Sequence, residues 1–277
     1  MTTRSRTTAG LSVLAAVAIA VAGCSGNTKS DAQAEKVAAV SPAEIVLAAN
    51  TKMTAAQSAK MRGQYDVTVP GQPAVTMKAD GVFDAKTGNA EMTMTLPGMG
   101  DVVVRMVGGA VYAKVPAQFA SMTPKPWLKV DVAQLGAAMG SFGSQNPADQ
   151  LDMLNGLTGV EEVGTETLDG VKTTHYKGTV DFDKVLAAVK DPAGRKNVES
   201  IKKVLAGKTM PAEVWIDEQG LPRKMTFAMT VKAPTASGTT GDAKIAGTMT
   251  LSDFGIPVKV AAPPASDVSD MKELTGQ

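Results

Sequence analysis

The chain has 277 residues, 28 basic and 27 acidic side chains, one histidine and one cysteine. Because the charges nearly balance, the chain lacks the basic footprint that nucleic-acid binding needs, and we predict no nucleic-acid partner. One histidine and one cysteine exclude a cluster of His and Cys ligands around a metal ion. We therefore predict neither a metal site nor a cofactor.

The first apolar run covers residues 9–22, follows two arginines and ends just before Cys24. It is shorter than the roughly 20 residues that span a bilayer, which is typical of a secretory signal peptide. Small residues followed by cysteine resemble the lipobox of bacterial lipoproteins, with Val21 where leucine is commonest. The resemblance implies a signal peptide over 1–23 and diacylglycerol on Cys24. The other interpretation is an ordinary signal peptide followed by an unrelated buried thiol.

Lipidation of Cys24 implies a mature protein held on the outer face of the cell membrane, because two acyl chains give a stable anchor. Residues 24–40 are polar and small, with too little apolar surface to fold, and we predict a flexible tether. A flexible coil of this length spans roughly 20–25 Å root-mean-square. Without residues 1–23 the chain carries 26 basic and 27 acidic side chains, so the mature protein is near neutral.

A helix is predicted to begin at Ser41, which can cap it, with Pro42 at the first helical position and Glu44 completing a capping box. Apolar residues then recur at steps of three and four, as on one face of a helix. We expect this helix to end near residues 61–63.

From Gln64 onward the apolar period changes to two, which is typical of strands with one buried and one solvated face. Turn sequences of hairpin length separate these runs as far as residue 115, so we predict an antiparallel meander. A further strand is expected at 127–130. Residues 131–154 are less regular and indicate two short helices. We expect a movable segment over 133–155.

Strands are predicted again at 160–168 and 171–180, joined by the hairpin signal Asp169-Gly170. Two helices follow, for which Asp183 and Asp191 are the expected caps. Three further strands are predicted between residues 212 and 251. No alternation of strand, helix and strand indicates a parallel sheet.

These elements predict an α+β domain over residues 41–265, followed by a C-terminal tail over 266–277. A sheet of about ten antiparallel strands twists and curls. We therefore expect a curved antiparallel sheet, a half-barrel, with helices covering its concave face.

Catalytic residues are not predicted. His175 alternates with Thr173 and Lys177 on the expected polar face, so we interpret it as solvent-facing rather than as a general base. The carboxylate pairs Asp181/Asp183 and Glu161/Glu162 are the remaining candidates for acid–base chemistry, as in glycoside hydrolysis. We interpret Asp183 as a helix cap and the glutamates as the start of a solvated strand.

Methionine is plentiful on the predicted apolar face, among small residues. Its flexible side chain suits irregular gaps and promiscuous apolar surfaces. Such a face can leave a cavity that binds acyl chains by burial, at roughly 25 cal/mol per Å². Alternatively, the helices pack there and the methionines close the gaps. From alternation alone, the candidate lipid-binding residues are Val67, Val69, Met77, Met92, Met94, Leu96, Met225, Phe227, Met229 and Met249.

Several segments together carry a family resemblance: Trp-Leu-Lys-Val at 127–130, Asp-Gly-Val-Lys-Thr-Thr-His-Tyr at 169–176, Pro-Ala-Glu-Val-Trp-Ile-Asp at 211–217 and Leu-Ser-Asp-Phe-Gly at 251–255. Their order resembles the LppX/LprAFG family of actinobacterial envelope lipoproteins over about residues 41–265. The resemblance implies a LolA-like half-barrel that encloses a hydrophobic pocket. It also implies transfer of acylated glycolipids or phospholipids between the plasma membrane and the outer envelope layers. These motifs are structural, so they fix no individual ligand contact.

Residues and resemblance together predict a lipid-anchored, non-enzymatic carrier that moves an acylated glycolipid or phospholipid across the cell envelope. We expect the plasma membrane, through the anchor, and a lipid exporter as partners. The alternative is a non-enzymatic envelope scaffold or regulatory lipoprotein with a filled core that binds a membrane protein.

Overall fold

The computed structural model describes residues 40–130, 151–190, 192–206, 209–235 and 239–270. In these ranges twelve strands form one sheet. The strands are β1 Ser58–Thr68, β2 Val75–Asp84, β3 Ala90–Leu96, β4 Gly100–Val107, β5 Ala110–Lys114, β6 Trp127–Val130, β7 Leu157–Leu168, β8 Val171–Val180, β9 Met210–Asp217, β10 Pro222–Pro234, β11 Thr240–Ser252 and β12 Val268–Asp270.

The strand order is β12-β6-β5-β4-β3-β2-β1-β11-β10-β9-β8-β7, and every pair is antiparallel except β12 with β6. In the part of the chain that the structure describes, the end strands β12 and β7 do not pair with each other. The sheet is therefore not closed into a barrel. The central pair, β1 with β11, joins the N-terminal meander to the C-terminal strands.

Three α-helices are described: α1 Pro42–Ala56, α2 Phe182–Ala188 and α3 Pro192–Val204. Short 3₁₀ helices lie at Ala117–Met122, Met153–Gly156 and Ala265–Asp267. Helix α1 packs through buried residues on one face of the sheet, which we call the inner face; the opposite side is the outer face. The predicted α+β fold, an open antiparallel sheet with helices on one face, is confirmed.

The start of α1 is as predicted, but its end is not. Ser41 Oγ accepts a hydrogen bond from the Glu44 amide at 3.3 Å, and the Glu44 carboxylate accepts one from the Ser41 amide at 2.8 Å. The helix stops at Ala56, and Gln57 turns the chain with a φ of 67°. An end near residues 61–63 was wrong, because β1 pairs on both sides with β2 and β11. That pairing outweighs a helical pattern that the apolar residues satisfy equally well.

The β7–β8 hairpin is as predicted: Asp169 and Gly170 have φ values of 48° and 81°. A two-residue turn with both φ values positive matches the twist of the flanking strands. The cap of α2 differs from the prediction. Asp181 rather than Asp183 caps it, accepting hydrogen bonds from the amides of Asp183 at 2.9 Å and Lys184 at 3.3 Å. Helix geometry explains the shift, because a cap must precede the amides it accepts from. Asp191 lies outside the described residues.

The sheet extends beyond residue 265, where we expected the domain to end. Strand β12 pairs in parallel with β6, and Lys125 Nζ donates a hydrogen bond to the Val268 carbonyl at 2.8 Å. The expected tail therefore begins with residues that join the sheet. Residues 271–277 lie outside the described part of the chain.

Two groups of buried side chains lie on the inner face. The larger combines α1 (Val46, Ala49 and Met53) with α2 and with strands from β1 to β11. The smaller consists of Val231, Ala243 and Ile245 on β10 and β11, with the last turn of α3 against it. The smaller group lies toward the end of the sheet where β1, β3, β8 and β10 end and β2, β4, β9 and β11 begin. We call this end the rim, and the opposite end the far end.

The inner face of the sheet as a candidate ligand-binding site

Strand register places the sequence-predicted lining residues on the inner face in adjacent cross-strand rows. One row crosses eight strands, and in spatial order it contains Val102, Met94, Ala79, Gly63, Met249, Met225, Val214 and Tyr176. The next row toward the rim contains Met77, Tyr65, Gly247, Phe227, Ala212 and Gly178. Because every member is apolar or glycine except the two tyrosines, the two rows form a continuous apolar surface.

The remaining candidates flank these two rows. Val67 and Met229 belong to the following row toward the rim, joined through Ile245. Met92 belongs to the row toward the far end, opposite Val104 and Gly81. Leu96 ends β3, two residues after Met94. Val69 follows the end of β1 and packs against the smaller buried group.

Burial of these side chains changes along the strands. Met92, Met225 and Met249 are buried with the residues of α1 and α2. The partly buried candidates belong to β1, β2, β3 and β10 or follow β1 directly, and all but Met94 lie nearer the rim than the row of Met225 and Met249: Val67, Val69, Met77, Met94, Leu96, Phe227 and Met229. On these strands the inner face is therefore covered more completely toward the far end than toward the rim. Nearer the rim, Ile245 on β11 and Met210 on β9 are buried.

Glycines on the inner face make room for two aromatic rings. A Cβ on Gly247 would lie 2.4 Å from the ring of Phe227, and one on Gly63 would lie 3.0 Å from the ring of Tyr65. The centroids of the two rings are 6.4 Å apart. Our candidate set missed Tyr65, although its alternation with Val67 already placed it on this face. A side chain at Gly247 would displace the ring of Phe227, and one at Gly63 would crowd the ring of Tyr65.

Polar groups also reach this face, near β7 and β8. Burial, together with the nearby Glu162 carboxylate, raises the pKa of Tyr176. The phenol is therefore neutral at physiological pH and can donate a hydrogen bond. At the opposite edge of the sheet, on β12, the Ser269 hydroxyl is buried without a hydrogen-bond partner. The inner face thus contains isolated polar groups within an apolar surface.

Among the described residues, no group of three or more His, Cys, Asp or Glu side chains is arranged to hold a metal ion. In the same ranges no helix combines the length and apolar character needed to cross a bilayer.

Comparison with known proteins assigns the chain to a family. The family model described as LppX_LprAFG lipoprotein matches residues 41–260. The chain belongs to this family. The resemblance inferred from the sequence is therefore confirmed, and the match covers strands β1 to β11 with all three described helices.

Relatives in the family extend over most of the chain. An uncharacterised 31.2 kDa protein in the rplA–rplJ intergenic region of Streptomyces griseus is 30% identical, over 87% of this chain and 83% of the relative. The lipoarabinomannan carrier protein LprG of Mycobacteroides abscessus is 27% identical, over 94% and 99% respectively. The crystal structure of lipoprotein LppX from Mycobacterium tuberculosis has a TM-score of 0.47 and 20% identity, over 78% of this chain and 96% of that chain.

His175 is less exposed in this family member than we expected. It lies on the outer face as predicted, but only 15% of its side chain is exposed, so the solvent-facing interpretation was wrong. Its ring stacks on that of Trp215, with centroids 4.1 Å apart and planes 8° from parallel, and its Nε2 lies 2.8 Å from a Glu213 carboxylate oxygen. Lys224 Nζ also lies over the indole, 4.1 Å from the ring centroid.

Three of the four carboxylates that we considered for acid–base chemistry have structural partners. Asp181 caps α2, Asp183 pairs with Lys202, and Glu161 lies 3.1 Å from Lys177 Nζ. Each of these contacts accounts for the side chain's position.

Other predictions fall partly or wholly outside the described residues. Cys24, the signal peptide and the tether lie in 1–39, except for Val40. Of the movable segment expected over 133–155, only 151–155 is described, and there Leu151 and Leu154 are buried in the larger group.

Proposed function

We propose that this chain is a membrane-anchored carrier that binds the acyl chains of a glycolipid or phospholipid on the inner face of its sheet. The single observation that carries the proposal is the rim half of that face. It presents a continuous apolar surface, several of whose side chains, Met77, Phe227 and Met229 among them, are only partly buried. Covering such a surface with hydrocarbon removes it from water, at roughly 25 cal/mol per Å².

The composition of this surface suits a flexible ligand. Met77, Met94 and Met229 have unbranched side chains that can adjust to irregular shapes without a large change in the sheet. Glycine at positions 63 and 247 lets the rings of Tyr65 and Phe227 lie close to the backbone, where a Cβ would crowd them. An acyl chain needs such a continuous apolar surface more than it needs one fixed shape.

The family supports a lipid as the ligand. One relative that matches nearly the whole chain carries the name lipoarabinomannan carrier protein. The proposal therefore includes acylated glycolipids and phospholipids. Their acyl chains would lie on the inner face, with the polar head groups at the rim in contact with water.

Membership of a lipoprotein family supports diacylglycerol on Cys24, with residues 24–40 as a tether on the outer face of the cell membrane. Two acyl chains on one cysteine suffice for a stable anchor. In this proposal the chain catalyses no reaction, and it moves its lipid across the envelope from an exporter to an acceptor.

The experiment that tests the proposal is native mass spectrometry of the mature chain from residue 24, with Cys24→Ser to prevent lipidation. We expect a bound lipid that co-purifies and is released on denaturation. A protein that carries no lipid, and that takes up no fluorescent fatty acid or phospholipid from vesicles, would exclude the carrier function. The scaffold with a filled core would then be the better interpretation.

Matched substitutions locate the lipid. Met94→Trp and Met229→Trp add bulk at partly buried positions of the inner face, and we expect each to reduce lipid loading. Thr95→Trp and Ala228→Trp place the same side chain on exposed positions of the same strands and should leave loading unchanged. Equal loading in all four variants would show that the lipid lies elsewhere.

A further inference from the structure

The rim of the sheet combines a basic helix with two uncharged turns. Helix α3 contains Arg195, Lys196, Lys202 and Lys203 against a single acidic residue, Glu199. This is a strong local excess in a mature chain whose charges nearly cancel.

The basic residues lie on the solvent side of an amphipathic helix. Val198 is buried against the sheet, with Leu205 partly buried two turns later. Lys196 and Lys203 are also two turns apart, and at 100° per residue they lie on the opposite side of the helix from Val198. Both lysines are exposed, so the helix presents a line of positive charge to the surroundings.

These lysines differ from most basic residues of the sheet in having no carboxylate partner. Lys60, Lys172, Lys177 and Lys232 each pair with an acidic side chain within 3.1 Å. Within the described ranges, no carboxylate lies within 4.0 Å of Lys196 or Lys203.

The other two basic residues of α3 are engaged differently. Lys202 pairs with Asp183. Arg195 donates hydrogen bonds to the backbone carbonyls of Leu186 and Val189, which leaves its charge without a counter-ion. The outward charge of α3 is therefore available to an external anion.

The end of α3 is fixed at the rim. The Ala206 amide donates a hydrogen bond to the Thr230 carbonyl of β10 at 2.8 Å, and Leu205 forms a bridge with Val231. Val204 and Leu205 pack with the smaller buried group, which also contacts Val69 at the beginning of the β1–β2 turn. The basic helix and this turn therefore adjoin the same buried group.

The β1–β2 and β3–β4 turns both lie at the rim and contain no charged residue. Their sequences are Val-Pro-Gly-Gln-Pro-Ala-Val over 69–75 and Leu-Pro-Gly-Met-Gly over 96–100. Each exposes an apolar side chain: Val75 is 38% exposed and Met99 is 41% exposed. Uncharged turns with exposed apolar tips can enter the interface between lipid head groups and acyl chains at little electrostatic cost.

We propose that the rim is a docking surface for an anionic phospholipid bilayer. Lys196 and Lys203 contact the lipid phosphates, and Val75 and Met99 enter the headgroup–acyl boundary. Lysines at the same end of the sheet as exposed apolar residues suit binding to a membrane surface. The outermost basic groups are lysines, mobile point charges that suit a fluid array of phosphates, rather than arginines with a fixed bidentate geometry.

Docking at the rim would turn the partly uncovered half of the inner face toward the bilayer, so that a lipid could move between them with little exposure to water. This consequence rests on the proposed carrier function. The docking itself does not, because it involves only α3 and the two turns.

The test is co-sedimentation of the mature chain carrying Cys24→Ser with vesicles of phosphatidylcholine, alone or mixed with phosphatidylglycerol. We expect binding to the mixed vesicles that weakens with added salt, and weak binding to phosphatidylcholine alone. Lys196→Glu with Lys203→Glu should lower the affinity for mixed vesicles by about tenfold or more. Met99→Ser should lower it by a smaller factor without changing the salt dependence.

The matched control compares Lys203→Glu with Lys86→Glu. Lys86 is also exposed and lies in the β2–β3 turn at the far end, so both variants change the net charge equally. Lys203→Glu should weaken binding and Lys86→Glu should not. An equal effect of both, or no binding to the mixed vesicles by the Cys24→Ser chain, overturns the proposal.

Native mass spectrometry of the same variants separates this inference from the carrier function. The double lysine variant should keep its co-purified lipid while losing vesicle binding. If no variant carries lipid but vesicle binding still depends on Lys203, the carrier function fails and the docking surface stands.

Discussion

The ring of Phe227 lies against Gly247, its cross-strand partner at the centre of the inner face. A Cβ on Gly247 would come within 2.4 Å of Cε1 and Cζ of that ring. No real Cβ approaches another carbon so closely, and therefore either the ring or the strand would have to move. The position of Phe227 in the proposed lipid site thus depends on the absence of a side chain at residue 247.

Replacing Gly247 by alanine should destabilise the protein by about 1–3 kcal/mol, the usual cost of overpacking. Urea unfolding followed by circular dichroism measures this cost. Phe227→Leu in the same chain should recover part of it, because the smaller side chain relieves the clash. Ala246→Val adds methyl groups at the neighbouring exposed position and should have little effect. A Gly247→Ala variant as stable as the unchanged chain would show that the Phe227 ring can adopt another position at no cost in stability.

The inner face could be predicted from the sequence because it depends on a local pattern. Alternation places Met77, Met94 and Met229 on one face whatever the rest of the chain does, and the register confirms that placement. Whether a lipid contacts them remains a proposal. The capping box of α1 and the Asp169-Gly170 hairpin are local in the same sense, and both predictions are confirmed.

Features that depend on distant partners could not be predicted. Residues 57–63 satisfy a helical pattern as well as a strand pattern, and only pairing with β2 and β11 decides between them. His175 is covered by Trp215, forty residues later in the chain. The basic surface of α3 was missed because net charge was considered for the chain as a whole, although Lys196 and Lys203 are visibly seven residues apart.

His175 should contribute to stability through its stack on Trp215. His175→Ala uncovers one face of an indole that is now only 5% exposed. We expect a loss of about 1 kcal/mol, the usual worth of a stacked aromatic pair. The tryptophan emission should also shift to longer wavelength, measured with Trp127→Phe so that only Trp215 emits.

Two companion variants assign that effect. His175→Phe keeps a ring over the indole but loses the contact with Glu213, so recovery of the emission spectrum would assign the effect to stacking. Lys177→Ala changes the next outward residue on β8 and should leave the spectrum alone. If His175→Ala leaves the emission maximum unchanged, another group covers the indole.

Two ion pairs should differ sharply in their importance for stability. Asp217 and Arg223 lie 2.6 Å apart with 3% and 20% of their side chains exposed, whereas Asp253 and Lys60 lie 2.7 Å apart and are at least half exposed. Asp217→Asn leaves a largely buried guanidinium unpaired and should cost about 3 kcal/mol. Asp253→Asn should cost less than about 1 kcal/mol. Similar urea midpoints for the two variants would contradict this ranking.

Asp152 should make the protein less stable as the pH rises. Burial raises the pKa of its carboxyl group, and a hydrogen bond from Asn50 only partly opposes this. The folded chain therefore holds this proton to a higher pH than the unfolded chain does. The free energy of unfolding falls as the pH rises from the unfolded pKa to the raised one, and the penalty persists at neutral pH.

Asp152→Asn should remove that penalty while its Oδ1 still accepts from Asn50 and Asn155, which lie 3.3 Å and 3.4 Å from the present carboxylate oxygen. We expect a higher melting temperature than the unchanged chain at neutral pH and no difference below about pH 4, the ordinary range of a carboxyl pKa. Asp66→Asn is the opposite control, because hydrogen bonds from Thr76 and Gln64 lower the pKa of Asp66. These hydrogen bonds to the ionised carboxylate stabilise the folded chain at neutral pH, and the stabilisation is lost in acid. Asp66→Asn should therefore lower the melting temperature at neutral pH only. If Asp152→Asn and Asp66→Asn shift the melting temperature at neutral pH in the same direction, the burial of Asp152 does not determine its contribution to stability.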